Sequence, residues 1–301
     1  MGRSVTHAAV ATARTPGLRR YFTATRGDSP AKRLGIHLIL ILSCAVSVYP
    51  FLRVIGTSLR PGNLALSTSL AILPAEPTWQ HYADMLLKEP FLLWLWNSLW
   101  IAFGTTLIGL VLAAPAAYAF SRWEFPGRRP GLVFLLATNM IPAGMLLIPI
   151  YIVVVRLGLL NSYVGVVLAY AVTALPFSIW VLKGWFDTVP YELDQAARID
   201  GASDLVAFWR VILPLSLPAL AVSGLFNFMT AWNEYIVARV IVQQPDLFTW
   251  TIGVQRLQGA FNTQWGAFSA ASVLVSIPVM IVFFYSSRWL VSGLTLGSVK
   301  G

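Results

Sequence analysis

Cysteine and histidine are scarce in this 301-residue chain, which holds one cysteine, Cys44, and three histidines, His7, His37 and His81. A lone cysteine excludes an internal disulfide and a cysteine-based metal cluster. Histidines so far apart leave no HExxH zinc motif, and no residue is assigned to a metal. Only four lysines are present, Lys32, Lys88, Lys183 and Lys300, and none follows a glycine, so the phosphate-cradling Walker loop is missing. A GxSxG nucleophile elbow is missing too. The chain reads as no enzyme, with no catalytic residue to assign and no nucleotide motor of its own.

Charge is also sparse. Charged residues make up 11% of the chain and hydrophobic ones 57%, against roughly 25% charged in an ordinary soluble domain. That excludes a soluble globular reading. The 21 basic and 12 acidic residues give a net charge of +9, which in a soluble chain would suggest a nucleic-acid partner. Where the charges sit argues otherwise.

Uncharged stretches run over Leu34–Leu52, Pro90–Ser121, Pro130–Val155, Leu157–Leu182, Val211–Asn233 and Leu257–Ser287. About 20 apolar residues cross the ~30 Å hydrocarbon layer as a helix. Six spans are therefore expected, near 34–56, 95–119, 132–155, 163–186, 214–238 and 267–288. Six spans put both termini on one side. If that side is the cytoplasm, 15 of the 21 basic residues lie inside and 6 outside, the positive-inside bias. The basic excess is then an orientation signal, and nucleic acid is discounted as a partner while membrane lipid is expected. The expected fold is an all-α integral membrane protein.

Residues 1–33 are basic, polar and without apolar period, which predicts a disordered cytoplasmic extension before a transmembrane domain at 34–301. The first apolar run is too long for a cleaved signal peptide. Glu234 is the sole acidic residue within the expected spans. An ionisable residue at depth could carry protons or a cation, making the chain a self-contained secondary transporter or channel. The simpler reading places Glu234 in the last turn of span five, between interfacial Trp232 and Tyr235. Asn139 beside Pro142, and Asn227 near Pro218, could line a pathway or join neighbouring helices by hydrogen bonds.

Between spans four and five, residues 190–213 read as a stiff helical elbow on the cytoplasmic face. Pro190 suits a first turn, and Glu192 and Asp194 favour the positive end of the helix dipole. Gly201 suits the left-handed conformation that ends a helix, and Ser203 can cap the next. Residues alone fit equally an amphipathic helix on the headgroups or a surface for another protein's groove.

The spacing Gln195-Ala196-Ala197, then Gly201, then Val211-Ile212-Leu213-Pro214 resembles the EAA motif of ATP-binding-cassette importer permeases. Gln195 stands where the motif has Glu, and Val211 where it has Ile. Ser58-Leu59-Arg60-Pro61-Gly62-Asn63, Trp94-Leu95-Trp96-Asn97-Ser98, Ala117-Tyr118-Ala119-Phe120-Ser121-Arg122 and the ending Gly293 to Gly301 are similar to the MalG-type permeases of maltose and maltodextrin importers. The resemblance implies the type I importer permease fold in a prokaryotic cytoplasmic (inner) membrane. It implies a homologous MalF-type permease, a homodimeric cytoplasmic ATPase holding ATP and Mg, and an extracytoplasmic sugar-binding protein as partners, with no cofactor on this chain. The implied ATPase contacts are Asp194, Gln195, Ala196, Ala197, Arg198, Asp200, Gly201, Ala202 and Ser203, and the tail Ser298, Val299, Lys300 and Gly301. The implied binding-protein loop comprises Leu257, Gln258, Gly259, Ala260, Phe261 and Asn262.

Overall fold

The computed structural model describes residues 29–63, 71–259 and 263–296. Two compact units divide the chain, residues 1–54 and 55–301. In the first, the described residues form most of one helix, α1 (Pro30–Ser58). Pro30 needs no amide donor in a first turn, and the Ser29 hydroxyl accepts from the Lys32 amide at 3.3 Å. The helix thus begins four residues earlier than the apolar run, taking Pro30, Ala31, Lys32 and Arg33 from the expected extension. Its Leu38, Ile39, Ile41 and Leu42 are exposed, as suits a helix whose solvent is lipid.

The second unit is built on α3 (Phe91–Arg122), α6 (Tyr163–Phe186), α9 (Leu217–Asn233) and α12 (Trp265–Leu296). The α3 helix packs along α6 and α9, and α9 packs on α12. In lipid no hydrophobic force draws helices together, so close approach depends on small residues. Gly109, Ala113, Ala114 and Ala117 on α3 are accordingly buried. A side chain at Gly109 would stand 2.6 Å from the Asn227 amide nitrogen.

All described regular structure is helical. Four described helices are long and apolar enough to cross a membrane: α1, α3, α6 and α12. The span expected at 132–155 is instead two shorter helices, α4 (Arg128–Thr138) and α5 (Ala143–Arg156). Pro142 lacks an amide donor and drives the residue before it from helical conformation; its own ψ is 131°. The span expected at 214–238 corresponds to α9, which starts close to the expected boundary at Pro214 and ends at Asn233. A helix α8 (Asp204–Leu215) meets α9 at a 78° bend. Pro214 and Pro218 remove donors on either side of the bend, and the Ser216 hydroxyl donates to the Ile212 carbonyl at 2.8 Å.

At the opposite end of the bundle, short helices α2 (Gln80–Leu87), α10 (Ile236–Ile241) and α11 (Trp250–Gln255) close the unit. Buried Asn97 fixes this end. Its amide nitrogen donates to the carbonyls of Asp246 (2.9 Å) and Phe248 (3.0 Å), and its oxygen accepts from Tyr163 (2.7 Å).

Candidate functional site

The elbow consists of α7 (Glu192–Ile199) and α8, separated by Asp200 to Ser203. Gly201 takes φ +84°, a conformation in which a side chain costs ~1–2 kcal/mol. The Gly201 amide donates to the Arg198 carbonyl (3.0 Å) and the Ala202 amide to the Ala197 carbonyl (2.9 Å). This pair of bonds is the Schellman closure, which satisfies the last carbonyls of α7. Ser203 then starts α8, its hydroxyl accepting from the Val206 amide at 3.4 Å. Arg198 reaches across the break to Asp204 at 2.8 Å, and that carboxylate pushes the guanidinium pKa up. Both partners are about two-fifths exposed, so the pair contributes at most ~1 kcal/mol.

Asp194 and Ala197 depart from their expected roles as groove-facing residues. They are one helical step of three apart and so share a face, and that face is buried within the chain. The Asp194 carboxylate is 1% exposed. It accepts from the Tyr118 hydroxyl at 2.6 Å and lies 2.9 Å from Arg122 Nε, an ion pair without aligned hydrogen-bond geometry. Arg122 also donates to the Val189 carbonyl at 2.9 Å. The last turn of α3 is therefore clamped to the first turn of α7. Tyr118 and Arg122 are functional candidates to which sequence reasoning gave no role of their own; the signals were the stretch from Ala117 to Arg122 that resembles the permeases and an arginine ending a long apolar helix.

The outward face of the elbow carries Gln195, Ala196, Arg198, Asp200, Gly201 and Ser203, all exposed, with Ala202 partly so. Apolar Ile199 (86% exposed) and Leu205 (66%) stand among them.

Of the loop expected to reach a binding protein, Ala260, Phe261 and Asn262 lie outside the described residues, as do tail residues Ser298 to Gly301. Leu257 is a correction: its side chain is buried in the hydrophobic core and is not presented to a partner. Gln258 and Gly259 are exposed. The loop base is tied by Asn63, which donates to the Thr263 carbonyl (2.8 Å) and accepts from the Trp265 amide (2.7 Å).

Asn227 is buried between helices, its oxygen accepting from Ser178 at 2.8 Å. Asn139 is an exposed cap residue at the end of α4. Glu234 ends α9, where its carboxylate accepts from the amides of Val237 (3.0 Å) and Ala238 (3.2 Å). It caps α10, which is the structural role that competes with proton or cation transport.

Long apolar helices with a capped elbow clamped to one end define a multi-pass membrane protein. The chain belongs to the family of binding-protein-dependent transport system inner membrane components, whose profile matches residues 91–295. It is 40% identical over 285 residues to the maltose/maltodextrin transport system permease protein MalG of Salmonella typhimurium strain LT2, covering 88% of this chain and 95% of that protein. It is 35% identical over 269 residues to the galactooligosaccharides transport system permease protein GanQ of Bacillus subtilis strain 168, covering 88% and 94%. Among solved structures it resembles a bacterial ABC transporter involved in the import of the acidic polysaccharide alginate. There the TM-score is 0.74 and the identity 25%, with 88% of this chain and 99% of the other covered. Family membership makes the chain a transport component of the inner membrane.

Proposed function

We propose that this chain is one permease half of a sugar importer carrying maltose- or maltodextrin-like oligosaccharides, driven by ATP hydrolysed on a separate ATPase. The carrying observation is the elbow, which pairs a stiff, capped turn with an exposed apolar and polar outer face. Gln195, Ala196, Arg198, Asp200, Gly201, Ala202 and Ser203 enter a groove on the ATPase, and the tail Ser298 to Gly301 reaches its dimer interface. ATP favours the closed ATPase dimer, and a docked elbow links that equilibrium to the permease conformation. The clamp of Asp194 on Arg122 and Tyr118 supports this reading, because force on α7 passes directly into α3.

The remaining partners are a homologous permease and an extracytoplasmic binding protein engaged by the loop around Gln258 and Gly259. ATP and Mg sit on the ATPase, and no cofactor is held here. The basic inner segments support a cytoplasmic position for both termini. The names of the similar MalG and GanQ proteins support an oligosaccharide cargo.

The test is to purify the tagged chain from its native membrane in mild detergent. A second permease and an ATPase should come with it, and hydrolysis should rise when maltodextrin-loaded binding protein is added. Solute movement by the chain alone, without ATP, would refute the proposal and return attention to Glu234.

A further inference from the structure

Between α3, α9 and α12 lies an apolar groove of about 660 Å³ that the transport reading leaves unused. Its floor includes Thr106, Leu110 and Gly224, and its elbow end is framed by Trp209, Tyr285 and Trp289. Along α3 the groove runs from Phe103 to Pro115, which at 1.5 Å per residue is ~18 Å. One leaflet of a ~30 Å hydrocarbon layer is ~15 Å deep. The groove is thus one leaflet long, on the elbow side.

Its elbow end carries a positive charge. The Arg288 guanidinium stacks over Tyr285 at 4.1 Å and over Trp289 at 4.0 Å, and both rings line the groove. Arg288 is exposed, and no carboxylate among the described residues pairs with it. An aromatic pair at headgroup depth holding an uncompensated arginine suits a phosphate group.

We propose that this groove is a binding site for one anionic phospholipid of the elbow-side leaflet, with an acyl chain against Leu110 and Gly224 and its phosphate on Arg288. The proposal rests on the membrane orientation above but not on the cargo or the ATPase.

The test uses the assembled complex in nanodiscs of phosphatidylglycerol or phosphatidylcholine, examined by native mass spectrometry and by photolabelling with a mid-chain diazirine phosphatidylglycerol. One phosphatidylglycerol per complex should be retained in preference to phosphatidylcholine, and label should fall on residues 106–111 and 220–225. Arg288→Gln should lose that lipid while Arg288→Lys keeps it. Ala221→Phe, which fills the groove wall, should lower labelling at least fivefold with the complex intact. Equal retention by Arg288→Gln, equal retention of phosphatidylcholine, or label spread evenly along the outer helices would overturn the site. So would an Ala221→Cys variant in a Cys44→Ser background that cross-links to the partner permease, since a protein helix would then cover the groove.

Discussion

Replacing Asp194 with leucine should release the elbow from α3 without unfolding the spans. The carboxylate is 1% exposed and the Arg122 side chain 6%, with 2.9 Å between Oδ2 and Nε. Removing one member of a buried pair costs about 3–5 kcal/mol, because the other is left as an uncompensated charge. Arg122 keeps the Val189 carbonyl at 2.9 Å and the face of Tyr191 at 5.8 Å. The low end, about 3 kcal/mol, therefore applies, and it corresponds to a shift of roughly a hundredfold between docked and undocked elbow. Hydrogen exchange of the α7 amides reads this opening directly. In the Asp194→Leu variant those amides should exchange about a hundredfold faster while amides of α6 are unchanged. The combination Asp194→Leu, Arg122→Leu and Tyr118→Phe removes every charge and orphaned hydroxyl of the clamp, and should recover most of the protection. Unaltered exchange in Asp194→Leu, or a combined variant as loose as the single one, would refute the clamp.

Ser203→Ala removes the cap of α8 and should cost about 1 kcal/mol locally, seen as faster exchange at Val206 and its neighbours. Gly253→Ala would drive a methyl into the Trp94 ring; overpacking of this kind costs about 1–3 kcal/mol, and a thermal unfolding scan should show a lowered midpoint. Asn63→Ala unties the base of the loop at Thr263 and Trp265; binding protein should then be needed at several-fold higher concentration for half-maximal stimulation of hydrolysis.

Much of this architecture is written locally. Charge-free length marked α3, α6 and α12, because burial in lipid and helix formation both depend on a contiguous segment. The elbow was legible for a similar reason, since Gly201 and Ser203 act within a few residues of themselves. Span three was misjudged because hydropathy is blind to donor loss at Pro142, which breaks a helix inside an apolar run. The clamp was illegible because Tyr118 and Asp194 lie 76 residues apart, and nothing local distinguishes a buried aspartate from an exposed one in an acidic first turn. Leu257 was misplaced in the same way, since a loop position says nothing of which side chain turns into the core. The Ser29-Pro30 start of α1 carried a cap signal that the apolar boundary at Leu34 obscured.

Whether the elbow transmits ATPase closure to the spans is read by comparing hydrolysis and sugar uptake in the same proteoliposomes for Gly201→Asp. Gly201 holds φ +84° with open space where a side chain would point. The variant therefore distorts the turn and places a charge on its outer face without crowding the bundle. The variant complex should assemble and hydrolyse ATP yet lose at least tenfold in uptake per ATP. Uptake per ATP equal to that of the parent protein would refute a transmitting role for the elbow.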